Sequence, residues 1–309
     1  MITALSLSPA VDKVYFVDNF EAGKLYRAEN VIKSAGGKGI NVSRVASILG
    51  EKVCTIGFKA GETGNWLEGK LKELGVMTAF VEVPGESRTN NNIIDNSSGK
   101  ETEILEKGPF ISDQAVARFK DVFEQSLKNT EVLVCSGGLP DGISSDFYAM
   151  LIGIAREKGI KTILDTSKEV LTEGIKSCPY LIKPNLRELS DFAGRPLDKI
   201  EDIVDTCRTI LMSGVEIAVV SMGRDGALFV TGEKVIRAYP PKLTAVNTIG
   251  SGDSMVAGMA AGIIRDYSPE NMFKLGMACA AANTQFKEIG YITVELVEKY
   301  MSEIKVEYL

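Results

Sequence analysis

Thr248-Ile249-Gly250-Ser251-Gly252-Asp253-Ser254 runs directly into Met255-Val256-Ala257-Gly258-Met259, a small-residue apolar stretch that reads as a helix. Glycines just before a helix let backbone N–H groups converge on an anion, and the helix dipole adds about half a positive charge there. Such a place suits a phosphoryl group in transit. Asp253, in the same turn, is positioned to accept a proton from an attacking hydroxyl, and the nearby helix terminus should keep it ionised. A plain glycine turn with Asp253 as helix cap has the same appearance, so the stretch needs support from elsewhere in the chain. It is not the dinucleotide fingerprint, whose third glycine would fall where Met255 stands.

Outward from this loop, strands alternate with helices. Strands are expected at Ile2–Ser8, Lys52–Phe58, Val76–Val83, Val132–Ser136, Thr162–Asp165 and Ile217–Ser221. Helices are expected at Ile40–Leu49, Trp66–Leu74, Asp146–Glu157, Ser254–Arg265 and Met272–Ala282. Such alternation with apolar strands implies an α/β protein with a mostly parallel sheet covered on both faces. Two segments break the rhythm, Val14–Lys33 and Ser87–Lys107, with strand-like patterning and no helix between. In the second, Asn96-Ser97-Ser98-Gly99 marks a turn between Asn91–Asp95 and Glu101–Leu105. They read as hairpins forming a small lid, at about residues 12–34 and 87–107 of a single domain spanning 1–309. Exposed lid strands would also make a homodimer through the lid reasonable.

Three further constellations carry candidate chemistry. Gly36-Gly37-Lys38-Gly39-Ile40-Asn41 is a second glycine loop opening a helix, where Lys38 and Asn41 add polar contacts. Lys183-Pro184-Asn185-Leu186-Arg187-Glu188 follows a short strand. Its Asn185 and Glu188 have the spacing of a capping pair, or of groups aimed at hydrated magnesium and phosphate. Ser221-Met222-Gly223-Arg224-Asp225-Gly226-Ala227 alone reads as a hairpin connection. A Walker-type near miss, Gly64-Asn65-Trp66-Leu67-Glu68-Gly69-Lys70-Leu71, lacks the final hydroxyl and reads as an amphipathic helix.

The most useful compositional fact is that none of the 309 residues is histidine. Histidine triads, histidine metal sites and histidine acid–base catalysis are thereby excluded, and proton transfer falls to other groups, carboxylates among them. A net charge of −6 argues against a nucleic-acid partner. No stretch approaches the apolar length of a membrane span, and no basic-then-apolar leader stands at residues 1–9. Five scattered cysteines without a Cys-x-x-Cys pair are expected to be buried free thiols in a reducing cytoplasm.

These motifs in this order resemble the ribokinase-like carbohydrate kinases of the phosphofructokinase-B type. The likeness covers nearly the whole chain. It includes Pro9-Ala10-Val11-Asp12, Gly36–Asn41, Ser136-Gly137-Gly138-Leu139-Pro140, Lys183–Glu188 and Gly250–Asp253. It implies a three-layer α/β/α fold with a small β lid, and ATP and Mg2+ as cofactors. Carried over by motif, Asp253 is the base and Gly250, Ser251 and Gly252 form the anion hole. Lys183 and Asn185 face the nucleotide's phosphates, and Glu188 meets the magnesium, through water. Ser221, Gly223 and Gly226 lie near the nucleotide, and Asp12, Gly37, Lys38 and Asn41 on the sugar side.

Ser87-Arg88-Thr89-Asn90 further resembles the Thr-Arg-x-Asn element of 1-phosphofructokinases and tagatose-6-phosphate kinases. Arg88, with Asn90 beside it, is suited to hold a phosphate already on the sugar through its fork of donors. Lys24 and Arg27 are secondary candidates for the same anion. The resemblance implies phosphorylation of fructose 1-phosphate to fructose 1,6-bisphosphate, or of tagatose 6-phosphate to tagatose 1,6-bisphosphate. One departure bears on that choice: Gly138 stands where the family's second serine would be. A catalytically silent sugar-phosphate sensor is the remote alternative, against which Asp253, the Gly250–Gly252 loop and Glu188 all argue.

Overall fold

Strand β1 (Ile2–Ser6) is buried along its whole length, as a strand must be when helices cover both faces of its sheet. The computed structural model describes all 309 residues. After β1 come β2 (Ala10–Val17), β3 (Val31–Gly36), α1 (Lys38–Ile48), β4 (Val53–Lys59), α2 (Gly61–Glu73) and β5 (Met77–Glu82). Then follow β6 (Arg88–Asp95), β7 (Glu101–Leu105), α3 (Asp113–Ser126), β8 (Val132–Ser136), α4 (Phe147–Glu157), β9 (Lys161–Asp165) and α5 (Lys168–Ile175). The later part holds β10 (Leu181–Ile182), α6 (Leu186–Ala193), α7 (Ile200–Leu211), β11 (Ile217–Ser221), β12 (Ala227–Val230) and β13 (Val235–Tyr239). Helices α8 (Ser251–Ile264), α9 (Pro269–Asn283) and α10 (Val294–Glu303) precede the edge strand β14 (Lys305–Tyr308).

The main sheet has ten strands in the order β14-β13-β12-β11-β10-β9-β8-β1-β4-β5. From β11 to β5 every neighbouring pair is parallel, and β12, β13 and β14 add an antiparallel edge. Buried residues divide into two clusters of similar size, 41 and 37, so the sheet is the middle of three layers. The two-residue period sorts them: Ile217 and Val219 of β11 face one cluster, Ala218 and Val220 the other.

Strand order reverses at β1, which pairs with β4 on one side and β8 on the other. A crevice forms at the carboxyl ends of parallel strands around such a reversal, and ligands bind there. The reversal therefore sets the ends of β1, β8, β9, β10 and β11 along one rim.

A second sheet of four strands, β3-β2-β6-β7, stands over that rim. Strand β6 pairs with β2 in parallel and with β7 antiparallel, across the Asn96–Gly99 turn that the sequence marks. The first lid segment differs from expectation: its middle, residues 18–30, is a connection between β2 and β3 rather than strand. Pairing with β6 runs in register to Val17 and Asp95 and ends there, where the Asp95 carboxylate accepts the Asn19 N–H at 2.8 Å. Helix α2 likewise starts at Gly61, five residues before the expected Trp66. The Glu86 carboxylate, distant in sequence, accepts the N–H groups of Glu62 and Thr63 at 3.2 and 3.1 Å and caps that early start. Four of the free cysteines are buried as expected; Cys178 is half-buried, in the turn after α5.

Candidate active site

Helix α8 begins with Gly250 as its N-cap, and no side chain caps it. The N–H groups of Gly252 and Asp253 find no backbone partner. Unsatisfied donors at a helix start are what an anion needs. The preceding loop is braced rather than loose. Asn247 Oδ1 accepts the Ile249 N–H at 2.9 Å, and Asn283 Nδ2 donates to the Ile249 carbonyl at 2.9 Å.

Asp253, on the first turn of α8, is 7% exposed. Its Oδ2 accepts a hydrogen bond from Asn41 Nδ2 on α1 at 2.8 Å. Burial pushes its pKa up to about 6, opposed by Lys38 and reinforced by the negative charge of Asp165. The helix terminus therefore does not hold this carboxylate at its ordinary acidity, because water is excluded from it. It is still mainly ionised at neutral pH, with a pKa near the working pH that suits a general base.

Beside it sits a charge cluster. Asp165, at the carboxyl end of β9, is fully buried and stands 3.2 Å from both Lys38 Nζ and Lys183 Nζ, with Ser136 Oγ donating at 3.0 Å. Burial alone would raise Asp165, but Lys183 and then Lys38 bring it down to about 2. Burial opposes the charge on Lys38, yet Asp165, Asp253 and Glu188 outweigh it and raise its pKa. Two ammonium groups are thus fixed beside the α8 terminus. Lys183 Nζ stands 3.4 Å from where a Cβ on Gly252 would be.

The lid supplies the opposite wall. Asp12 on β2 accepts from Asn90 Nδ2 at 2.7 Å, and Arg88 Nη1 donates to Asn90 Oδ1 at 3.1 Å. Arg88 also grips the Ser8 carbonyl through Nε and Nη2. Burial raises the pKa of Asp12, while Asn90, Arg88 and Arg44 hold it back. Gly36 is required here: a Cβ on it would meet Asp12 Oδ2 at 1.8 Å.

Between these walls lies a cleft of about 530 Å³. It brings together Asp12, Gly37, Lys38, Asn41, Arg88, Asn90, Lys183, Asn185, Glu188, Ser221, Gly223 and Gly250–Asp253. A hollow of about 320 Å³ adjoins it at the α8 terminus, lined by Ser221, Gly223, Gly226, Met255 and Met277 among others. A third, polar hollow of about 280 Å³ opens between Lys38, Arg88 and the Ser136–Gly138 loop. Asn185 and Glu188 form the capping box of α6. Two candidates stay outside. Lys24 and Arg27 are exposed on the connection 18–30, neither lines the cleft, and Lys24 pairs with Glu21 at 2.6 Å. The chain leaves β2 at Val17 and carries both away from the rim.

The model of the "pfkB family carbohydrate kinase" matches residues 5–292. The chain belongs to the pfkB family of carbohydrate kinases. This kinase is 36% identical over 311 residues to a tagatose-6-phosphate kinase of Staphylococcus epidermidis, covering 99% of each protein. It is equally, 36%, identical over 309 residues to a 1-phosphofructokinase of Bacillus subtilis, covering 100% of each. A crystal structure from Thermotoga maritima, described as a possible 1-phosphofructokinase, superposes with a TM-score of 0.92 at 30% identity, over 100% of this chain and 99% of that one. The protein is accordingly a phosphotransferase with the ribokinase-like fold, and its likeness to the two named activities is even.

Sequence reasoning missed Asp165 in this pfkB kinase. The signal was present, an acid ending the apolar strand that begins at Thr162, but an acid at a strand end also starts many loops. Asn247 and Asn283, which brace the turn before α8, gave no local signal; their role exists only once α8 and α9 are packed.

Proposed function

We propose that this pfkB kinase transfers the γ-phosphate of ATP to a ketohexose phosphate, in the first place fructose 1-phosphate, giving fructose 1,6-bisphosphate. The observation that carries the reading is the polar hollow between Lys38, Arg88 and Ser136–Gly138. It shares Lys38 and Arg88 with the main cleft, which Asp253 also lines. A sugar with phosphate at one end and a free hydroxyl at the other fits that layout. Arg88 and Lys38 supply charge for the standing phosphate.

In this reading Asp253 takes the proton of the sugar hydroxyl as its oxygen bonds to the γ-phosphorus and the bond to the β-phosphate oxygen breaks. The free N–H groups of Gly252 and Asp253, with Lys183 beside them, meet the charge spread over the transferring phosphoryl oxygens. Ser221, Gly223 and Gly226 line the place for the nucleotide. The chain offers no cluster of three or more metal-binding side chains. A lone carboxylate such as Glu188 fits a magnesium ion bound chiefly by nucleotide phosphates and water. That ion would neutralise phosphate charge, with Glu188 and Asn185 facing it.

Tagatose 6-phosphate, phosphorylated at C1, is the second reading, supported by an equally similar relative of that name. Gly138 bears on the choice, since nothing lies within 4 Å of where its Cβ would be. The hollow is wider and has one hydroxyl fewer than a serine there would leave. A kinetic panel of fructose 1-phosphate, tagatose 6-phosphate, fructose 6-phosphate, free fructose and free ribose with ATP and magnesium tests the assignment. The highest kcat/KM is expected on one of the first two sugars. Efficient turnover of free sugars alone would sink it.

A further inference from the structure

Strand β6 turns Arg88, Asn90 and Asn92 toward the cleft, and Asn91 and Ile93 toward the lid's outer face. Arg88 and Asn90 are held by protein partners. Asn92 is not: it is 4% exposed, and its Oδ1 is buried without a hydrogen-bond partner. Native structures rarely leave a buried amide oxygen unpaired, and each case calls for an explanation.

Directly across the sheet from Asn92, on β7, stands Glu103. It also lines the cleft, and its side chain is exposed. No lysine or arginine pairs with it, although thirteen ion pairs form elsewhere in the chain. It is near enough to Asp12 for its charge to push that carboxyl up. An unneutralised carboxylate is unexpected on a cleft that presents Lys38, Lys183 and Arg88 to anions. It would repel a phosphate placed at that part of the lid. A group rich in hydroxyl donors accounts for both residues.

We propose that Asn92 and Glu103 form a subsite for two neighbouring hydroxyls of the acceptor sugar, one donating to Asn92 Oδ1 and the other to the Glu103 carboxylate. Each hydroxyl donates its proton, so the unpaired Asn92 Oδ1 and the unneutralised Glu103 carboxylate both gain a partner. The subsite also orients the sugar. The carboxylate turns the phosphate away from β7, toward Lys38 and Arg88, and leaves the free end for Asp253. It rests on the kinase reading above only in taking a polyhydroxylated acceptor as ligand.

The test compares wild type, Asn92→Leu and Glu103→Ala on the best ketohexose phosphate and on its 3-deoxy and 4-deoxy analogues. Wild type is expected to lose roughly 10- to 100-fold in kcat/KM on the deoxy sugar that lacks the hydroxyl bound to Glu103, the usual range for a hydrogen bond to a charged group, and less on the one that lacks the hydroxyl bound to Asn92. Each variant should lose a similar factor on the parent sugar, little more on the deoxy sugar that lacks its own partner hydroxyl, and nothing in the KM for ATP. Asn92→Leu should melt no lower than wild type, because an apolar side chain of similar size replaces an unpaired amide. The subsite is overturned if the variants lose as much again on every deoxy sugar, or if their kinetics on the parent are unchanged. Glu103→Ala keeps the test open should Asn92→Leu fail to fold, since Glu103 is exposed. Should wild type act only on a free ketohexose, the phosphate assignment fails by itself. The same deoxy comparison on the free sugar then still decides the subsite.

Discussion

Asp253 concentrates the residue-scale chemistry because three physical effects meet on one carboxylate. Burial raises its pKa, Lys38 lowers it, and Asp165 raises it again, with about 6 as the outcome. Activity should therefore fall on the acid side as pH drops through that value, as the base takes up its proton. Asp253→Asn is expected to lower kcat by three orders of magnitude or more while sugar binding survives. Its stability has the opposite sign. Below about pH 4 wild-type Asp253 is protonated both folded and unfolded, and the variant gains nothing. Between about 4 and 6 the folded chain holds a proton that the unfolded chain releases, so wild type loses stability as pH rises, and above 6 the loss is complete. Asp253→Asn should thus melt higher than wild type at pH 7.5, and the gap should close toward pH 4. Thermal melts across that range check this, and a variant that melts lower at pH 7.5 would mean the charged form is stabilised rather than strained. Asp253 as the candidate base could be read in the sequence, since a glycine turn, an acid and a helix start are local features. Its pKa could not, because Lys38 and Asn41 reach it from α1 and Asp165 from β9.

At the scale of elements, α6 separates a structural role from a chemical one on the same pair of residues. Asn185 Oδ1 accepts the Glu188 N–H at 2.8 Å, and Glu188 Oε2 accepts the Asn185 N–H at 2.9 Å. Both meanings of the Lys183–Glu188 motif are compatible, since one carboxylate oxygen caps the helix and the other remains for the cleft. Glu188→Gln keeps an acceptor for the cap but loses the charge. It should melt within about 0.5 kcal/mol of wild type, yet need more magnesium for half-maximal rate. Asn185→Ala should lose about 1 kcal/mol of stability, the usual worth of an N-cap. A Glu188→Gln enzyme with unchanged magnesium dependence would leave the residue a cap and nothing more. Elements whose ends are set by their own residues, such as β8 and β11, fall where the sequence places them. Helix α2 does not, because its cap comes from Glu86, beyond β5. The site divides along the same line: glycine loops at helix starts are legible, whereas Asp165, Asn92 and Glu103 acquire meaning only when strands are set side by side.

For the whole molecule, the unresolved pairing is that of the lid. Its inner face is occupied by the cleft, but its outer face has no cover. A hollow of about 430 Å³ there is lined by Tyr15, Val17, Phe20, Tyr26, Val31 and Ile93. Strand β7 is exposed along both faces, with Ile104 and Leu105 more than half exposed, and its outer edge carries unpaired backbone groups. Proteins rarely leave an apolar sheet face and a strand edge open together. A second copy of the same lid is self-complementary to such a surface by a two-fold axis. The kinase is therefore expected to sediment as a dimer at micromolar concentration. Ile93→Lys with Ile104→Lys, both outside the cleft, should shift it to a monomer. If the paired lids brace one another over the sugar, the monomer should show a raised KM for the sugar and an unchanged KM for ATP, since no lid residue lines the hollow proposed for the nucleotide. A wild-type chain that sediments as a monomer would overturn the pairing. A dimer untouched by both substitutions would place the interface elsewhere and leave the lid to close over the sugar alone.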